Sequence, residues 1–109
     1  MKKEIITYNL IEGFHNYPNA PEICGYLAAE HRHLFQVRCW AHVSHNDREI
    51  EINTMQNAIE SELISAFGKP CMFGAMSCED IAEFLLGKFT QLTKVQVLED
   101  GYGGAALTR

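Results

Sequence analysis

The chain has 109 residues, 47% hydrophobic and 21% charged, which is the length of one domain, residues 1–109, and not the composition of a disordered chain. Nine Lys and Arg against fourteen Asp and Glu give a net charge of −5. That argues against a nucleic-acid or anionic-membrane surface, which would need surplus cations. No apolar run approaches the roughly 18 residues of a membrane span, and Met1-Lys2-Lys3-Glu4-Ile5-Ile6 is no signal peptide, because charge interrupts it at once. A soluble, cytoplasmic protein is expected.

In chain order, residues 4–15 are β-branched and aromatic with rough alternation and read as a first strand. Residues 16–30 carry two of the three prolines and read as a long loop with a short helical turn over 25–30. Residues 31–43 form the clearest strand, with His33, Phe35, Val37, Cys39, Ala41 and Val43 on one face. A polar turn covers 44–48, and Glu49–Ile52 is a short extended piece. A helix then starts at Asn53 or Thr54 as N-cap, with Met55, Ile59, Leu63 and Phe67 at four-residue spacing, and Gly68-Lys69-Pro70 ends it. Ser77-x-x-Asp80 signals a capping box and a second helix striped by Ile81, Phe84, Leu85 and Phe89. Residues 94–99 alternate as a strand, Gly101-Tyr102-Gly103-Gly104 breaks it, and 105–109 is a short terminal strand. The order is ββααββ. An α+β fold with an antiparallel sheet covered on one face by two helices is the simplest packing of these pieces.

Cys24, Cys39, Cys71 and Cys78 include no CxxC or CxxH pattern, which excludes a zinc knuckle, and free thiols are expected in a reducing compartment. The five histidines are more informative by position than by number. His31 and His33, one residue apart on a strand, project from the same face. His15 ends the preceding strand and is the natural third member, because hairpin-related strand ends meet. Three imidazoles with one open position is the pattern of a catalytic zinc, although an isolated His-x-His is more often an ordinary surface or core feature. His42 and His45 lie at the far end of the same strand and in the turn. Glu99 is in register with Val95 and Val97, so its carboxylate points toward the buried face, where it would serve as a ligand anchor; if the strand frays there, it is merely solvated. Cys24, beside Gly25, is either a nucleophile or general base activated near a metal or, as is commoner, a spare loop thiol.

Taken together, Phe14-His15, Cys24, His31-Arg32-His33, Glu51-Ile52-Asn53-Thr54-Met55, Met76-Ser77-Cys78-Glu79-Asp80-Ile81-Ala82 and Val97-Leu98-Glu99-Asp100 with Gly104 resemble, in order, the motifs of the 6-pyruvoyltetrahydropterin synthase family. That family includes the 6-carboxytetrahydropterin synthases of the queuosine pathway. The resemblance covers nearly the whole chain. It implies the tunnelling fold, or T-fold: a four-stranded antiparallel sheet with two helices on its outer face, closing into a barrel with other subunits. It also implies a homo-oligomer, trimer or hexamer, with sites at subunit interfaces. It implies Zn2+ on His15, His31 and His33, a pterin or purine-like ring held by Glu99 with Ser77 and Cys78 nearby, and Cys24 as the catalytic thiol. The implied activity is that of a lyase on 7,8-dihydroneopterin triphosphate or a relative, eliminating triphosphate and rearranging or cleaving the side chain.

The chain departs from the family pattern at three points. Cys24 lies further ahead of His31 than the family's Cys lies ahead of its His-x-His. Residues 66–74 contain neither Asp nor His, where the family has the Leu-Asp-His pair that works with that Cys. The Thr at the start of the family's second helix is replaced by Ser77 or is absent, with Cys78 beside it. Positioned acid–base groups contribute about 10²–10⁴-fold to rate, so an alternative expectation is a T-fold module that binds a pterin, purine or nucleotide without turnover. An oligomeric scaffold with no metal and no ligand is a third.

Overall fold

The long alternating segments pair with each other. A computed structural model describes residues 1–109. In it, β1 (Lys3–His15) and β2 (His31–Val43) run antiparallel in unbroken register from Lys3 opposite Val43 to His15 opposite His31. The segment between them is not a plain loop with a turn over 25–30: a 3-10 segment spans Glu22–Ala28, kinked at Cys24. The chain continues through α1 (Ile52–Phe67), β3 (Cys71–Gly74), α2 (Cys78–Lys88), β4 (Leu92–Glu99) and β5 (Gly103–Thr108).

The α+β class and the placement of both helices on one face agree with the sequence. The sheet itself does not match the expectation. It has five strands in the order β3-β1-β2-β4-β5, and it is mixed, because β3 pairs parallel to β1. The strand sequence is therefore not the plain ββααββ of a four-stranded antiparallel sheet. The extra strand is four residues long, and only Cys71 and Phe73 turn inward, which is too short a pattern to stand out by alternation. The β1–β3 register shifts between Phe14 and His15.

Period-2 alternation places Ile11, Phe35, Val37, Cys39, Ala41, Val95 and Val97 on the face that α1 and α2 cover. Met55, Ile59 and Leu63 of α1 and Ile81, Ala82 and Leu85 of α2 belong to the same buried cluster of 18 residues. Each fully buried Val, Leu, Ile, Phe or Met among them contributes about 1.5–3 kcal/mol. Phe84 and Phe89 pack at the edge of this cluster, and Leu86 is buried in the stripe with Ile81 and Leu85.

The helix ends have specific causes. The N-cap of α1 is Glu51, not Asn53 or Thr54, and no extended piece over 49–52 precedes it. The Glu51 carboxylate accepts Asn53 N at 2.8 Å and Thr54 N at 2.9 Å. It thereby satisfies two of the orphan amides of the first turn. Gly68, at φ 89°, closes the helix as expected, donating its N–H to Ile64 O. For α2 the capping box is present in both directions, Asp80 N to Ser77 Oγ at 3.1 Å and Ser77 N to Asp80 Oδ2 at 3.0 Å. At its other end Arg109 Nη2 donates to Leu86 O at 2.6 Å and to Phe89 O at 3.3 Å, a cation placed where the helix dipole is negative.

The C-terminal strand is longer than its sequence suggests, because Gly103 and Gly104 belong to it and do not break it. A Cβ on Gly104 would overlap the Val97 carbonyl, so only glycine lets β5 close on β4 there. Asp100 and Gly101 both have positive φ, 52° and 78°, and Tyr102 N returns to Glu99 O, the chirality that a tight antiparallel turn favours. No helix is long and apolar enough to cross a membrane.

Candidate metal centre

Where β1 ends and β2 begins, strand register assembles the candidate site. His15 faces His31 directly, Gly13 faces His33, and Phe35 faces Glu99 across the next ladder. Odd positions on β1, β2 and β4 share the covered face, so His15, His31, His33 and Glu99 come together at one end of the core. Phe35 links the two regions, its ring lying 5.2 Å from that of His15 and 5.5 Å from that of His33.

The three imidazoles form a group whose candidate ligand atoms all lie within 4.8 Å of one another, a cluster that could hold a metal ion. Each ring is held from behind. His15 Nδ1 meets Met76 O at 2.9 Å and His31 Nδ1 meets Ala29 O at 2.8 Å. A carbonyl only accepts, so both Nδ1 atoms donate, and in the neutral ring it is Nε2 that carries the lone pair. His33 Nδ1 donates to Asp100 Oδ2 at 2.6 Å, and the Leu34 N–H, followed by this His33 contact, holds the Asp100 carboxyl below its ordinary pKa. A carbonyl or carboxylate behind each ring is the usual support of a metal-binding histidine.

Glu99 closes the far side. Its Oε2 lies 3.0 Å from His15 Nε2 and its Oε1 3.6 Å from His33 Nε2. These approaches are short, but they do not have the alignment of hydrogen bonds: the Nε2 atoms of His15 and His33 are buried without a partner. A buried nitrogen lone pair facing a carboxylate is unfavourable unless a proton or a cation lies between them. Imidazole nitrogens with a carboxylate beside them are a donor set that could hold a metal ion.

An open cavity of about 520 Å³ adjoins the cluster, with His15, His31, Ser77, Cys78 and Glu99 in its wall. The turn that caps α2 also shapes the site, since Met76 O holds His15 and Ser77 and Cys78 follow in the wall. Cys78 Sγ donates to Glu99 Oε2 at 3.6 Å. Burial, and then the Glu99 charge, push this thiol up to about 12, so it is neutral. Cys24 is half-buried in the 3-10 segment and does not line the cavity. His42 is exposed at the opposite end of β2, beside Glu4, and His45 lies in the turn with Glu49.

Sequence reasoning missed Asp100 and Met76. Met76 acts through its backbone, which leaves no side-chain signal. Asp100 left a faint one, an acidic residue before Gly101 at a strand end, the composition of a tight turn. The chain matches no protein-family model and no curated protein.

Proposed function

We propose that the chain is a zinc-dependent pterin-pathway enzyme of the 6-pyruvoyl/6-carboxytetrahydropterin synthase type, a lyase acting on 7,8-dihydroneopterin triphosphate or a relative. One observation carries this reading: His15, His31 and His33 converge, with a hydrogen-bond acceptor within 2.9 Å of each Nδ1. A zinc ion there would polarise a hydroxy-ketone side chain and acidify its protons. Glu99 would accept N–H donors from the ring, and Ser77 and Cys78 beside it would bound the ring's edge. Tyr17, Leu27 and Met76 give the cavity its apolar wall.

A homo-oligomer, trimer or hexamer, accompanies this reading. The sheet face away from the helices exposes Ile6, Tyr8, Leu10 and Leu34, and β3 and β5 are open edges, features that further copies would cover. No Lys or Arg lines the cavity, so the triphosphate needs cations from a neighbouring subunit. A cytoplasmic location is in keeping with four free thiols.

The test is zinc per subunit in natively purified protein, with His31→Ala in parallel, followed by triphosphate release from the substrate. Near-stoichiometric zinc that the variant loses, together with triphosphate release, supports the proposal. Zinc-loaded protein that releases no triphosphate at any pH defeats the enzyme reading.

A second reading has its own observation. Cys24 does not line the cavity and residues 66–74 offer no Asp or His, so the acid–base partners of the chemistry are missing from this chain's site. That favours a T-fold module that holds a pterin, purine or nucleotide without turnover. Tight binding of a pterin or guanine nucleotide with no product would select it.

A further inference from the structure

We infer that Glu99 is the fourth ligand of the three-histidine centre whenever no ring occupies the cavity, so that the metal site rests closed and a ligand must take the carboxylate to open it. This rests on the metal reading of His15, His31 and His33 and adds a regulation of that site.

The distances carry the argument. Bonds of about 2.0–2.1 Å in a tetrahedral zinc centre hold neighbouring ligand atoms about 3.3 Å apart. Glu99 Oε2 lies 3.0 Å from His15 Nε2 and Oε1 lies 3.6 Å from His33 Nε2, so each oxygen faces one imidazole nitrogen at about a ligand-to-ligand separation. His15 is 7% exposed, and its Nε2, like that of His33, is buried without a hydrogen-bond partner. With each Nδ1 donating to its acceptor, the neutral rings turn their Nε2 lone pairs to the carboxylate, the arrangement of ligands around a cation. The position is also built in. Pairing with Phe35 sets Glu99 in the ladder, and the Cys78 thiol hydrogen-bonds Oε2 from the α2 side. A ring that offers N–H donors to Glu99 competes with the metal for the same oxygens. Ring binding and an open coordination position are thereby coupled through one side chain.

Cobalt(II) titration of the purified full chain tests this, using wild type, Glu99→Gln and His31→Ala. The expected result is a tetrahedral visible spectrum in wild type, and in Glu99→Gln an altered spectrum with an affinity lower by at least the roughly 10–100-fold that loss of an outer partner costs. Difference infrared spectroscopy of the 13C-glutamate-labelled wild-type chain on adding zinc needs no variant to fold, and a shift in carboxylate splitting supports the inference. Equal affinity and an unchanged spectrum in folded Glu99→Gln, or no carboxylate change in wild type, overturns it and leaves the three-histidine site standing. An intense near-ultraviolet thiolate-to-cobalt band would assign the fourth position to Cys78 and also overturn it. Wild type that binds no cobalt or zinc removes the metal reading itself, and the inference with it.

Discussion

His15 and His31 stand directly opposite each other across the β1–β2 ladder, their ring centroids 4.7 Å apart. The pairing is the terminal rung of thirteen-residue strands in unbroken register, so the site's geometry is inherited from the whole ladder. A one-residue slip would turn one of the two rings to the other face. His33 then joins through the two-residue repeat, and Asp100 arrives from the β4–β5 turn to hold it.

Asp100→Asn tests that support. Asn tolerates the positive φ of this position and can still accept the Leu34 N–H, so the fold is expected to survive. The neutral amide is a weaker acceptor for His33 Nδ1, and loss of such an outer carboxylate costs about 10–100-fold in metal affinity. Zinc competition against a chelating dye measures it. Unchanged affinity would show that Asp100 serves the turn alone.

Gly13 sits opposite His33, and a Cβ there would come within 2.7 Å of the Phe73 ring and 3.1 Å of the Cys71 carbonyl. Gly13→Ala therefore has to displace β3 or the ring, at a cost of about 1–3 kcal/mol. The urea midpoint should fall with little change in slope. A midpoint equal to that of wild type would mean that β3 yields freely.

The strands and the histidine trio were legible because their information is local: alternation along 31–43 and a His-x-His repeat opposite a strand-terminal His15. The rest depends on contacts distant in sequence. β3 is four residues that pair parallel with β1, and nothing within those residues specifies the partner. Asp100 matters through a left-handed turn that brings it to His33, 67 residues away in sequence. Glu51 caps α1 although Asn53 and Thr54 are the better cap formers by type, because the helix already begins at Ile52. Cys24 looked like a site residue by its place in the chain order, but the path of the 3-10 segment leaves it out of the cavity wall.

Thiol reactivity separates Cys24 from the other cysteines. Cys39, Cys71 and Cys78 are buried, and burial pushes their thiols up to about 12, 11 and 12. Thiolate fraction and access both govern alkylation. Native protein at neutral pH should therefore take up iodoacetamide at Cys24 alone, and Cys24→Ser should abolish the uptake until denaturant exposes the others. Mass spectrometry of the labelled peptides reads this out. Rapid native labelling at Cys78 would mean that the cavity wall opens.

Acid should weaken α1 from its first turn. The Asn53 backbone N–H, then the Thr54 hydroxyl and backbone N–H, hold the Glu51 carboxyl below its ordinary pKa. A group whose folded pKa is depressed binds its proton more readily in the unfolded chain, so its stabilisation is fully present above the unfolded value, about 4.3 for Glu. It is lost as pH falls through the lower folded value. Glu51→Gln removes the charged cap, so the stability gap between wild type and variant should be constant near neutrality. The gap should narrow once pH drops below that unfolded value, because protonation makes the wild-type cap neutral too. Urea midpoints for both proteins across that acid range measure the gap. A gap that stays constant into strong acid would mean that the carboxylate charge contributes nothing at this N-terminus.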